Sequence, residues 1–291
     1  MRNWLLPALL LAALAQPLTA QDKPTPVRLK PLRVSPACTV SQDIGISRIE
    51  LAFGRPAVKG RRIWGELVPY GQVWRAGANS ATVLTLSHAA KVAGHPIAAG
   101  SYGFFVIPKD KGKTWTLILN KQAKQWGAYE YKAEEDVLRW EVQPQVGPPQ
   151  EYLDYRVAPT GLGSAVVQLA WENLRLSFPV VFDTPAIYWA HLEESLAKAP
   201  ETDWTPWYQA ADYCQKQGIE PQKALVWIEK SLKAGESFWN HETAARLYKE
   251  AHDLPQAMSH LQKAIDLSRG KAPREYTANL EQDLATWKQG H

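Results

Sequence analysis

At 291 residues the chain is long enough for two domains, and its 45% hydrophobic content is that of an ordinary globular protein. Its formal net charge of +4 is small and comes with no basic helix or RNA-binding signature, so nucleic acid is not an expected partner. The charge is uneven: residues 22–183 hold 20 Lys/Arg against 14 Asp/Glu, residues 184–291 hold 12 against 15, so the basic excess belongs to the first half.

The first 20 residues read as a signal peptide: Arg2, an apolar run from Trp4 to Ala15, then small residues at Leu18-Thr19-Ala20 suited to cleavage. No cysteine follows at once, so a lipoprotein anchor is not expected. No later apolar run approaches the ~18–20 residues that span a bilayer, and the reading is of a periplasmic or secreted protein. Residues 21–35 are rich in Pro and Lys without periodicity and form an extended leader.

Residues 36–184 carry the grammar of a β-domain. Short runs rich in β-branched and aromatic residues predict strands near Cys38–Gln42, Ser47–Phe53, Ala81–Ser87, Lys91–Ala93, Ser101–Pro108, Thr114–Asn120, Val137–Val142, Glu151–Val157, Ala165–Glu172 and Arg175–Val181. Turns are expected at Ala93–Pro96, Lys109–Lys113 and Asn173. Many short strands at this spacing indicate an antiparallel β-sandwich or a jelly-roll-like domain.

The exception is Arg55–Ser80, which holds four glycines and two prolines between strands. It reads as a long shaped connection, and such connections in compact domains are functional or disordered; Trp64 and Trp74 argue against disorder. Arg55, Lys59, Arg61, Trp64, Arg75 and Asn79 make it a candidate anion or sugar site, since guanidinium groups offer bidentate hydrogen bonds and an indole offers an apolar face. Gly77 between Arg75 and Asn79 lets the backbone approach closely. A second irregular segment, Asn120–Asp136, supplies Lys121, Tyr131 and Asp136, and its aromatics are suited to packing against the first. The competing reading makes the tryptophans a plug for the sandwich end and the whole loop a folding element.

After Asp183-Thr184-Pro185 the periodicity becomes helical. Helices are predicted at Ala186–Ala199, Trp204–Gln217, Gln222–Ala234, Trp239–Ala251, Gln256–Ser268 and Arg274–Lys288. Ala211 to Ala245, Cys214 to Tyr248 and Pro221 to Pro255 are each 34 residues apart. That is the period of the tetratricopeptide repeat, which residues 185–291 resemble. The expected architecture is therefore α+β and multidomain: a β-domain followed by an all-α helical-repeat domain. By analogy with that repeat, Thr205, Tyr208, Asp212, Trp239, Glu242, Arg246 and Lys249 line a concave face that would take a protein or peptide.

Templates for catalysis find little. No histidine pair has the i, i+4 spacing of a zinc helix, so no metal is expected. Gly100-Ser101-Tyr102-Gly103 and Gly161-Leu162-Gly163-Ser164 precede strands, unlike a nucleophile elbow. No phosphate loop is present and no cofactor is implied. A hydrolase would need a carboxylate such as Asp136 converging on Arg75. Cys38 and Cys214 either bridge in an oxidising compartment or leave Cys214 as a small buried residue of a helix.

Ser41-Gln42-Asp43-Ile44-Gly45, Gly54-Arg55-Pro56, Lys59-Gly60-Arg61, Ile63-Trp64-Gly65, Val68-Pro69-Tyr70-Gly71, Trp74-Arg75-Ala76-Gly77-Ala78-Asn79, Ala99-Gly100-Ser101-Tyr102, Ile107-Pro108 and Asn120-Lys121 fall together in order. Over residues 36–182 the chain resembles the exported bacterial family called domain of unknown function twenty-nine eleven. The resemblance implies a small exported β-domain with a basic signature loop, and no established activity. The leading expectation is a binding or assembly protein that recognises a small anionic or carbohydrate-like envelope ligand through Arg55–Ser80 and a partner through its helices. The alternative is a cell-envelope hydrolase.

Overall fold

The computed structural model describes residues 32–110 and 112–289; the expected signal peptide and most of the expected leader lie outside them. Ten strands run from Ala37 to Phe182 and six helices from Thr184 to Gln289. The strands form two antiparallel sheets. The larger has the order β1 (Ala37–Ile44), β2 (Ser47–Gly54), β3 (Thr82–Leu86), β6 (Gly100–Ile107), β7 (Trp115–Asn120) and β8 (Asp136–Val142). The smaller has β5 (His95–Ile97), β4 (Ala90–Val92), β10 (Ser164–Phe182) and β9 (Gln145–Gly161).

The alternation that predicted the strands is what packs the sandwich. In β2, Ile49, Leu51 and Phe53 face inward, and in β10, Ala165, Val167, Leu169 and Trp171 do the same, all nearly inaccessible. Phe104, Leu117, Trp140, Leu153, Tyr155 and Phe178 complete one apolar core between the sheets. Strand β7 is buried along its whole length. Its far face meets Ala81, Val73 and Tyr131, so the larger sheet is covered on both sides at this point.

Two expectations need correction. The predicted turn at Asn173 is instead a bulge within one 19-residue strand, with register shifts on both sides of Glu172 and Glu172 itself at φ 50°. The turn expected at Ala93–Pro96 is shorter: Ala93 and Gly94 turn with φ 48° and 85°, and His95–Ile97 is a strand that pairs with Ala90–Val92. Pro96 is tolerated there because β5 is an edge strand.

The helices are α1 (Thr184–Lys198), α2 (Trp204–Gln217), α3 (Pro221–Ala234), α4 (Phe238–Glu250), α5 (Leu254–Ser268) and α6 (Arg274–Gln289). Their starts are set by caps: the side chains of Asp183, Asp203, Ser237 and Asp253 accept from backbone N–H groups of the first turn. Helices α2 and α3 interlock through Ala211 and Cys214, which recur 34 residues on, and Ala224 and Ile228, which recur 33 residues on. Helices α4 and α5 repeat this with Ala245, Ala257, Leu261 and Ala264. One end is covered by α1, whose Trp189 packs on Trp227; the other by α6 through Leu280, Leu284 and Trp287. Cys38 and Cys214 are free, and burial pushes the Cys214 thiol up to about 11. Among the described residues no helix is long and apolar enough to cross a membrane.

Candidate functional site

The Arg55–Ser80 connection does three things in succession. Its first part lies beside β9: Ala57 pairs with Tyr152, and Val58 N–H donates to Glu151 O at 2.8 Å. Here Arg55 meets Asp154 at 3.3 Å and donates to Leu153 O. Lys59 N–H donates to the Glu151 carboxylate at 2.9 Å, and Arg61 turns back to the carbonyls of Val58 and Ala57. Arg55 and the Lys59 backbone hold the loop to β9, while Arg61 braces the loop internally.

The middle part seals the end of the sandwich. Ile63, Trp64 and Val68 enter the core, and Trp64 packs edge-on against Trp74, Trp115 and Trp171 with centroids 4.8–5.7 Å apart. Trp74 stacks on Trp171 at 5.8 Å. The indole N–H of Trp64 and that of Trp171 are buried without an acceptor.

The last part, Arg75–Ala81, is an excursion from the sheet. Trp74 pairs with Val106 and Thr82 with Phe104, so seven residues loop out where the neighbouring strand advances by two. It is held from every side. Ala76 O accepts from Tyr155 Oη at 2.8 Å and Thr82 Oγ1 at 3.0 Å, Gly77 O accepts from the Trp74 indole, and Ala78 N–H donates to Gly54 O. Gly54 and Gly77 allow this approach: a Cβ on Gly54 would lie 2.2 Å from Ala78 O.

The two irregular segments do meet. Ala81 N–H donates to Gln125 O and Gly127 N–H to Asn79 O, both at 3.0 Å, while Ala81, Val73, Phe105, Ile118, Ala128 and Tyr131 fill the space beneath. A shallow depression of about 310 Å³ remains between Ser80–Val83 and Ala123–Trp126.

The basic and polar residues expected to form one site therefore lie in three places. Arg55, Lys59 and Arg61 sit beside β9, Trp64 lies at the sandwich end, and Arg75, Asn79, Lys121, Tyr131 and Asp136 belong to the covered outer face of the larger sheet. Asn79 donates to Ser35 O, and Lys121 uses its backbone N–H to bond Glu135 O. Asp136 is fully engaged, accepting from Tyr131 at 2.7 Å, Asn120 at 2.8 Å and Arg139 at 2.5 Å. Burial first, then the Asp136 hydrogen bond, pushes the Tyr131 hydroxyl up to about 12. Among the described residues no carboxylate forms an ion pair with Arg75, so the convergence that a hydrolase would need is missing.

A cavity of about 630 Å³ opens at the sandwich end. Its aromatic lining is Trp64, Trp115 and Tyr70. Arg62 from the loop and Lys109 and Lys113 from the β6–β7 turn add positive charge, and Asp110 of that turn a negative one; Gln143 from the β8–β9 link and Glu172 and Asn173 from β10 add polar groups. Lys109 pairs with Glu141 at 3.2 Å, and Arg62 with Glu66 at 3.2 Å on the open surface, where such a pair contributes little. Glu172 and Lys113 have no side-chain partner among the described residues. Only Trp64 of the residues singled out in the sequence lines this cavity. The signal for the others was the turn at Lys109–Lys113 and the turn chemistry of Asn173, which line one end of the sandwich together.

The helical face gathers better. Asp212 on α2 accepts from Thr243 and pairs with Lys216; Glu242 on α4 pairs with Arg246 at 2.8 Å, and Arg246 reaches Asp283 on α6 at 3.3 Å. Tyr276 donates to Glu242, and Lys249 lies over the Trp287 ring. Burial, then the charges of Asp212 and Glu242, pushes Tyr208 up to about 12. Trp239 is 44% exposed against Phe238 and Tyr276, and Thr205 opens α2, its N–H bonded to the Asp203 cap. The contributions of Tyr276, Asp283 and Trp287 were missed because α6 falls outside the repeat period.

Among the described residues no group of three His, Cys, Asp or Glu is placed to hold a metal. No curated protein and no solved structure matches the chain. Residues 35–180 match the family described as "Protein of unknown function (DUF2911)", and the chain belongs to that family.

Proposed function

We propose that this is an exported binding and assembly module whose sandwich-end cavity takes a small anionic, carbohydrate-like ligand and whose helical face recruits a protein or peptide. The single observation that supports the ligand half is the cavity itself, where indole faces adjoin cationic and amide or carboxylate groups. A sugar ring lies on an aromatic face through its C–H side, while its hydroxyls and acid group need the polar rim. Lys113 and Glu172, both without side-chain partners, are free to supply that rim. The positive φ of Glu172 fits the same reading, because a bulge re-aims one side chain toward a site at the expense of strand regularity.

The helical half is supported by the network across α2, α4 and α6. Its charges are paired with one another, so a partner meets a surface whose side chains are already ordered around exposed Trp239. Export rests on the N-terminal pattern of Arg2, an apolar run and small residues.

Calorimetric titration with glucuronate and with glucose as its neutral counterpart tests the ligand half. The acid should bind more tightly, and R62M/K113M should lower its affinity about tenfold while leaving glucose unchanged. If neither sugar binds, or if the double variant binds glucuronate as the wild type does, the cavity is not such a site. For the helical half, W239A and R246A should release one and the same co-purifying protein; retention by both would refute the assignment.

A further inference from the structure

Arg75 is the anomaly of the β-domain. A guanidinium stays charged at every accessible pH. Burial alone pulls the Arg75 value down, its Nε is shut from solvent without an acceptor, and its side chain makes no hydrogen bond or ion pair with any described residue. Arg55, Arg61 and Arg62 of the same connection each have partners. The acid nearest in role, Asp136, is consumed by Tyr131, Asn120 and Arg139.

The backbone that carries Arg75 is costly as well. Ala76 has φ 51°, a left-handed conformation that an alanine seldom adopts, while Asn79 at φ 64° is of a residue type that tolerates it. The seven-residue excursion is nonetheless fixed by the hydrogen bonds to Ala76, Gly77 and Ala78 described above. Tyr129, 84% exposed, lies within electrostatic reach of Arg75. Its ring rests on Gly127, where a Cβ would come within 2.8 Å of it, so the tyrosine is seated and not trailing in solvent.

We infer that Arg75 and Tyr129 form a second binding site, separate from the sandwich-end cavity, for an oxyanion group of the carboxylate or phosphate type. Because Nε is closed off, the ligand meets the guanidinium end-on, its two oxygens accepting from the two terminal amino groups. Tyr129 donates a third hydrogen bond from its hydroxyl. The strained excursion holds the fork in place before the ligand arrives, so little ordering remains to be done on binding.

The test is a titration of the purified protein with sodium phosphate and, separately, sodium acetate at constant ionic strength, with chloride as the control, read by thermal midpoint and by the Arg75 Nε–H resonance. At least one of the two anions should raise the midpoint beyond chloride and shift that resonance, and the stronger of them identifies the source of the oxyanion. R75M should abolish the response, and R75K, a point charge without the fork, should weaken affinity about tenfold. Y129F should weaken it less. The anion-induced shift of the Arg75 Nε–H resonance should persist in R62M/K113M, which separates this site from the cavity. The inference is overturned if neither anion exceeds chloride, or if R75K binds both as tightly as the wild type; the second criterion stands even if R75M does not fold.

Discussion

The two halves of this molecule treat their polar groups in opposite ways. Along the helical face every charge that points inward finds a partner: Glu242 with Arg246 and Tyr276, Arg246 with Asp283, Asp212 with Lys216 and Thr243. In the sandwich, the Nε1 groups of Trp64, Trp140 and Trp171 and the Nε of Arg75 are buried with none. A buried polar group without a partner costs on the order of 1–3 kcal/mol, so a fold keeps several only where something other than stability is served. The contrast separates a half whose inward-facing charges are paired from a half that keeps several buried donors without acceptors.

The largest effect that sharpens this contrast lies in the tryptophan cluster. Trp171 is 1% exposed and touches Trp64 and Trp74. W171A should lower the unfolding free energy by about 3–5 kcal/mol, since both transfer and cavity terms apply. W171F, which keeps most of the ring and deletes an indole N–H that has no acceptor, should cost far less. Urea unfolding of both decides: if W171F costs as much as W171A, the indole nitrogen has a structural partner and the contrast is weaker than drawn.

Next in size is the helical network. R246M leaves Glu242 and Asp283 facing each other without their cation and should cost about 1–2 kcal/mol. R246M/E242Q should recover part of that loss. Additive losses in the double variant would show that the two residues do not act as a pair.

The helical half has one exception to its rule, and pH exposes it. His241 is 2% exposed, its Nδ1 lies 2.9 Å from Nδ1 of His260, and its Nε2 has no hydrogen-bond partner. One ring must donate and the other accept, so at least one is neutral. Burial, then the neighbouring His260, pulls His241 down to about 4 from its ordinary 6.5. The unfolded chain therefore takes up the proton first: the stability that depends on neutral His241 is complete above about 6.5, declines as pH falls toward about 4, and levels off below. Denaturant midpoints between pH 7 and pH 4 should slope less in H241Q than in the wild type. Equal slopes would assign the acid sensitivity to other groups.

How much of this was legible beforehand follows from the range of each interaction. Helix α2 is where its periodicity placed it, and the 34-residue spacing from Cys214 to Tyr248 does mark packed positions, because helical periodicity is local. Strand β10 was read as two because Asn173 carries turn chemistry, yet pairing with β9 on one side and β4 at the far end holds the chain extended through it. The dispersal of Arg55, Arg61 and Arg75 was not legible. Which side of a sheet each residue of an irregular segment takes depends on partners such as Glu151, Val106 and Gln125, which lie far along the chain. For the same reason the cavity residues Lys109, Lys113 and Glu172 carried no signal individually; only the shared end of two sheets unites them.

The smallest effect is the most discriminating. If Arg75 is held for recognition, its removal in the absence of any oxyanion should not harm the fold. R75M keeps an apolar stem and deletes a desolvated charge that has no ion-pair partner among the described residues, so in chloride buffer its unfolding free energy should rise by about 1 kcal/mol. Saturating oxyanion should reverse the order, because ligand bound to the native state alone stabilises only the protein that binds it. A loss of several kcal/mol for R75M in chloride would place Arg75 among the groups that build the excursion. The sandwich would then be spending its strain on folding and not on binding, and the contrast between the two halves would collapse at the point where it is sharpest.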